Sequence, residues 1–178
     1  MKRTLGIFLM ACLLFSMPQT GVAIRYAWWL RISYETETTH IQSISVSDLD
    51  PSWTLAEPLS KEAIPPEELT DFEKLYEPDG YSFSKEGDFN ADGKRDRAVV
   101  GIYKDKSGGV GRFLLILTES QKSKWIKSFV YKSPGNAGFS ILREEKGHLT
   151  WYFCMDCDIY SFVKWENGRY ILAPSQHR

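Results

Sequence analysis

The sequence predicts a mainly β protein, β-rich α+β in class: an antiparallel meander, a small sandwich or a partial propeller-like sheet, with one short helix. Three observations predict it. From residue 81 onward, short apolar stretches recur between turn residues. Phe113 to Leu117 is apolar throughout, short enough for a buried strand. Asn167-Gly168 stands between Trp165 and Tyr170 as a two-residue hairpin signal, because both residues tolerate positive φ. Aromatic residues make up 14% of the chain, and most sit at alternating strand positions, where a small β core would use them. A glycan- or protein-binding surface is the other use for such rings.

In chain order, residues 1–23 read as a signal peptide. Met1-Lys2-Arg3 is a short positive start, Leu5 to Phe15 is apolar, and Gly21-Val22-Ala23 offers small residues before a cut. The run falls short of the roughly 20 residues a spanning helix needs, so no transmembrane segment is expected after cleavage. The expected address is export, periplasmic or secreted. Two alternatives stay open: an uncleaved anchor, and a lipoprotein, since Leu9-Met10-Ala11-Cys12 resembles a lipobox.

Residues 24–80 read as an N-terminal arm or linker carrying a short helix at about 66–76. Ile24 to Tyr34 is aromatic-rich and predicts a first strand; Ile44 and Val46 alternate with serines as a short exposed strand. Pro51, Pro58, Pro65 and Pro66 break regular structure. Pro66 suits a first helical position, Leu69, Phe72 and Leu75 follow at helical spacing, and Pro78-Asp79-Gly80 ends the helix.

Residues 81–178 read as an antiparallel β domain with a calcium-type loop. Ala98, Val100 and Ile102 alternate with Val99, Gly101 and Tyr103, and Ser107-Gly108-Gly109 turns the chain. Strands are expected at Phe113–Leu117, Trp125–Tyr131, Gly138–Leu142, Leu149–Phe153 and Asp158–Trp165. No internal repeat at about 40 to 50 residues is present, which counts against a complete propeller.

The net charge of −1 hides an asymmetry. Between Asp48 and Asp92 stand thirteen acidic and three basic residues; between Lys94 and Lys132, ten basic and three acidic. Such a split marks either a basic face for an anionic partner or an acidic segment folded back onto a basic sheet. No basic-aromatic nucleic-acid motif accompanies it, so no nucleic-acid partner is expected.

The segment with the most chemistry runs from Gly87 to Val100. Asp88, Asn90 and Asp92 place side-chain oxygens at positions one, three and five, and Gly93 permits a sharp turn at six. The Lys94 carbonyl stands at seven and Asp96 at nine, so the loop can curl hard oxygens toward one calcium ion. Asx residues and glycine also build metal-free turns. The pattern matches the front half of an EF-hand loop but has Val99 in place of the bidentate Glu at twelve. With a strand following, it resembles the D-x-[ND]-x-D-G-x-x-D loops of FG-GAP and VCBS-type calcium-loop proteins, over residues 87–100 alone. That resemblance implies Asp88, Asn90, Asp92 and Asp96 as side-chain ligands and Lys94 as a carbonyl ligand. It also implies a structural calcium ion and an exported or cell-surface setting.

Cys154-Met155-Asp156-Cys157 lies at an expected strand-to-strand turn. An even pair in an oxidising compartment fits a structural disulfide; redox activity, metal binding and free thiols are the alternatives. His40, His148 and His177 are isolated, and no serine elbow, H-E-x-x-H, P-loop or paired carboxylates stand out. The reading is therefore an exported, non-enzymatic binding protein, its partner an unknown protein or cell-envelope component. The alternative is a cell-envelope enzyme or enzyme inhibitor acting on an anionic polymer such as peptidoglycan. A thiol-disulfide oxidoreductase is a third class.

Overall fold

The computed structural model describes residues 27–30, 32, 34–145, 148–155, 157 and 159–175. The expected signal peptide, with Cys12, lies outside them.

The expected first strand is not formed where it can be seen. Trp28–Leu30 is a 3-10 turn that sends Trp28 and Trp29 into the same core, whereas alternation along a strand would point them to opposite faces. Trp28 meets Phe72 and Phe139 edge-on, with ring centres 6.1 and 5.3 Å away. Two short strands follow, β1 (His40–Ile41) and β2 (Ile44–Ser45), paired with each other. The serine-alternating strand stops at Ser45, because Val46 opens a one-turn helix, α1 (Val46–Leu49), that buries Val46 and Leu49.

Strand β3 (Trp53–Pro58) comes next, then α2 (Pro66–Asp71) with Pro66 in its first turn, as its fixed φ favours. The helical path continues through Phe72–Tyr76 with the wider i→i+5 spacing, the Glu77 N–H donating to the Phe72 carbonyl at 3.1 Å. In a wider turn the residue four on, rather than three on, returns to the face of Phe72. Tyr76 accordingly packs on the core while Leu75, expected on the buried face, is 61% exposed.

Two large antiparallel sheets make up the rest, so the chain is mainly β. β4 (Tyr81–Ser82) and β5 (Ser84–Gly87) are separated by buried Phe83 alone, and they belong to different sheets. β6 (Asp96–Asp105), β7 (Val110–Glu119) and β8 (Trp125–Pro134) form a meander. β5 and β3 share one side of β6: β5 lies along Asp96–Val99 and β3 along Gly101–Asp105. The second sheet runs β12 (Arg169–Pro174), β11 (Tyr160–Glu166), β10 (His148–Tyr152), β9 (Ile141–Glu145), β4. The expected hairpin is present, with Asn167 and Gly168 at φ 52° and 76° between the paired Glu166 and Arg169.

Alternation along β6 and β7 divides the core in two. Ala98, Val100, Ile102, Leu114 and Ile116 meet Leu142, Leu149, Trp151, Val163 and Tyr170 of the second sheet. Phe113, Leu115, Leu117 and Tyr103 face the other way and are covered by Ile41, Val46, Leu49 and Trp53. Burial on both faces is why Phe113 to Leu117 is apolar at every position. Residues upstream of 81 thus contribute β3, the Trp28–Trp29 pair and the cover of the second core.

Candidate functional site

The loop expected to bind calcium is the connection between β5 and β6, closed by the Gly87–Asp96 pair. Its conformation follows from Asx chemistry. The Asp88 carboxylate accepts from the Asp92 N–H through Oδ1 at 3.0 Å and from the Gly93 N–H through Oδ2 at 2.9 Å. Asn90 Oδ1 accepts from the Asp92 N–H at 3.0 Å, and Asp92 Oδ1 from the Lys94 N–H at 2.9 Å. Such a tight path needs the left-handed region, which Ala91 at φ 57° and Gly93 at φ 79° supply. The Lys94 N–H, with its ammonium 3.3 Å from Oδ2, holds the Asp92 carboxyl below the usual carboxylate range.

Asp96 behaves differently. It is fully buried, Oδ2 accepting from the Phe89 N–H at 3.1 Å and from the Tyr170 hydroxyl at 2.7 Å, while Thr118 Oγ1 donates to Oδ1. The Thr118 hydroxyl also lies 2.6 Å from that of Ser128, which sits at the register shift of β8. Burial, then the bond to Asp96, pushes the Tyr170 phenol far above its usual range. One carboxylate therefore ties the loop to β7 and, across the inter-sheet core, to β12.

Asp88, Asn90 and Asp92 are hard oxygen donors on an accessible loop, and each oxygen that accepts one N–H keeps a second lone pair, so the donor chemistry fits a calcium ion. Asp96 fits less well as an open ligand, since its oxygens already serve three donors. Among the described residues, no three or more His, Cys, Asp or Glu side chains converge as a metal-holding group.

Cys154 and Cys157 form a disulfide, Cα atoms 5.7 Å apart, in the turn between β10 and β11. Neither is at a helix N-terminus, the usual setting for a lowered thiol pKa. The acidic segment does fold onto the basic strip. Asp50 pairs with Lys132 at 2.9 Å, Glu86 with Arg95 at 3.4 Å and with Arg97, while Lys127 Nζ donates to the Asp48 and Leu49 carbonyls. Among the described residues, no helix is long and apolar enough to cross a membrane. Thr118, Ser128 and Tyr170 escaped sequence reasoning because no local spacing links them to Asp96. Family models, curated proteins and solved structures, compared with the chain, give no match.

Proposed function

We propose that this protein is an exported, non-enzymatic binding module whose β scaffold presents a surface to a partner protein or cell-envelope component, with calcium serving a structural role at the 88–96 loop. The observation that carries the reading is the division of labour in that loop. Asp88, Asn90 and Asp92 lie on the accessible side, and Asp96 roots the same loop in the core. A cation held there by Asp88, Asn90, Asp92 and the Lys94 carbonyl would stiffen a loop already continuous with both sheets. It would act by stabilising the native state, since a ligand bound only to that state must do so.

The test is thermal melting in calcium and then in excess chelator. Extracellular-type loops bind at roughly 0.1 to 1 mM, so about 10 mM calcium should add on the order of 1.5 to 2.5 kcal/mol. For a chain this size that is a rise of several degrees. Asp92→Ala should remove the rise; an equal rise in that variant, or none in the native chain, sinks the calcium reading. Export with cleavage after Ala23 is checked by mass: a chain starting at Ile24 is expected, one retaining residues 1–23 would contradict cleavage, and one starting at a lipid-bearing Cys12 would replace it with the lipoprotein alternative.

A further inference from the structure

We propose that the guanidinium of Arg112, stacked on the Phe153 ring, is a binding site for a carboxylate, at the end of the inter-sheet core far from the 88–96 loop. It stands independently of the calcium reading. Arg112 is on β7, on the same face as Leu114, Ile116 and Thr118, six residues from Thr118 and so about 20 Å along the strand. Its neighbours come from three other parts of the chain. The Phe153 ring lies beneath the guanidinium, 5.4 Å from centroid to Cζ. Gly138 lies beside Nη2, and Asn136, an exposed residue, lies next to Gly138.

Among the described residues, this arrangement has no anion. Nε of Arg112 and the hydroxyl of Tyr34 are both buried without a hydrogen-bond partner, and among the described residues no carboxylate pairs with Arg112. Tyr34 feels the Arg112 charge, which opposes the effect of burial on its phenol, and burial depresses the guanidinium's own pKa. A desolvated cation without a partner is costly, and a counter-charge removes most of that cost. Every other strongly engaged arginine of this strip, Arg95 and Arg97, has its glutamate.

The chemistry selects a carboxylate. The guanidinium offers two parallel N–H groups in one plane, the match for a planar oxyanion. One positive charge balances one negative charge, and Tyr34 adds a neutral donor. Gly138 is part of the design: a Cβ there would lie 2.7 Å from Nη2 and 2.9 Å from Asn136 Oδ1, crowding the fork.

The probe is sodium acetate, titrated into nitrogen-15-labelled protein with chloride exchanged for acetate at fixed ionic strength. The Arg112 Nε–H resonance, identified by its loss in Arg112→Lys, should shift and saturate in the millimolar range. Tyr34→Phe should weaken binding about fivefold, the effect of one neutral hydrogen bond. A resonance that stays put to decimolar acetate, or moves equally with chloride, overturns the proposal. N-acetyl-trialanine with a free or an amidated C-terminus identifies the source. An acid form binding more than tenfold tighter than acetate supports a peptide chain end as the ligand, and parity with acetate supports a small free carboxylate. An amide that binds as well as the acid overturns the site.

Discussion

Asp96 holds three hydrogen-bond donors from separate parts of the chain, so its loss would be felt at each of them. Asp96→Ala would leave the Tyr170 hydroxyl and the Phe89 N–H unsatisfied and the Thr118 hydroxyl with Ser128 alone. A cost of about 3 kcal/mol or more is expected in urea unfolding, given that each orphaned buried group costs roughly 1 to 3. Tyr170→Phe should cost about 2 kcal/mol, the usual worth of a hydrogen bond to a charged group. The double variant should cost less than the sum, because both changes break the same bond; strict additivity would mean that the two side chains do not interact. The sequence singles out Asp96, but as the ninth position of a calcium loop. Its buried partners lie 22 and 74 residues away, and no local pattern could have named them. Arg112 and Tyr34 were illegible for the same reason: each reads as an ordinary strand or loop residue until the sheets close around them.

Elements were legible where local chemistry decides them. Asn167-Gly168 specified its hairpin because two consecutive positive φ values leave few other residues possible. Phe113 to Leu117 announced a buried strand, and Pro66 the start of α2. The buried face of that helix was not legible, since the i→i+5 turn at Phe72 is set by packing of its ring on Trp28 and Phe83. Nor did Trp28-Trp29 declare a turn rather than a strand, because aromatic residues favour strands until both rings are needed inside. Gly101 illustrates a constraint that only strand pairing creates. An added Cβ would lie 2.3 Å from Phe113 Cζ and 2.4 Å from the Glu57 carbonyl oxygen, on the neighbouring strands β7 and β3. Gly101→Ala should therefore destabilise by about 1 to 3 kcal/mol, the range for overpacking, with the effect read as a lower urea midpoint at unchanged slope. A neutral result would mean that β3 can move away from β6 freely.

At the scale of the molecule, alkaline stability follows from its tyrosines. Tyr34 and Tyr170 have phenols pushed well above their ordinary value, mainly by burial, and Tyr81 and Tyr103 are raised for the same first reason. A raised folded-state pKa keeps the proton on the native chain while the unfolded chain releases it near pH 10. Stability from these groups is thus complete below about pH 10 and declines above it. Phenolate absorbance should rise in two stages, exposed tyrosines first and the buried set together with unfolding; a single smooth titration without unfolding would contradict the burial. Phe83 is the single residue at which the backbone leaves one sheet for the other between β4 and β5. Tyr81 pairs with Arg143 before the crossing, while Ser84 pairs with Val99 after it. The second sheet therefore takes one edge strand, β4, from upstream of the meander and its other four from downstream. A chain delivered from its N-terminus must leave β4 waiting, unpaired, while some sixty residues pass. The two sheets are sewn together by order of arrival as much as by contact, so neither should be recoverable as a fragment.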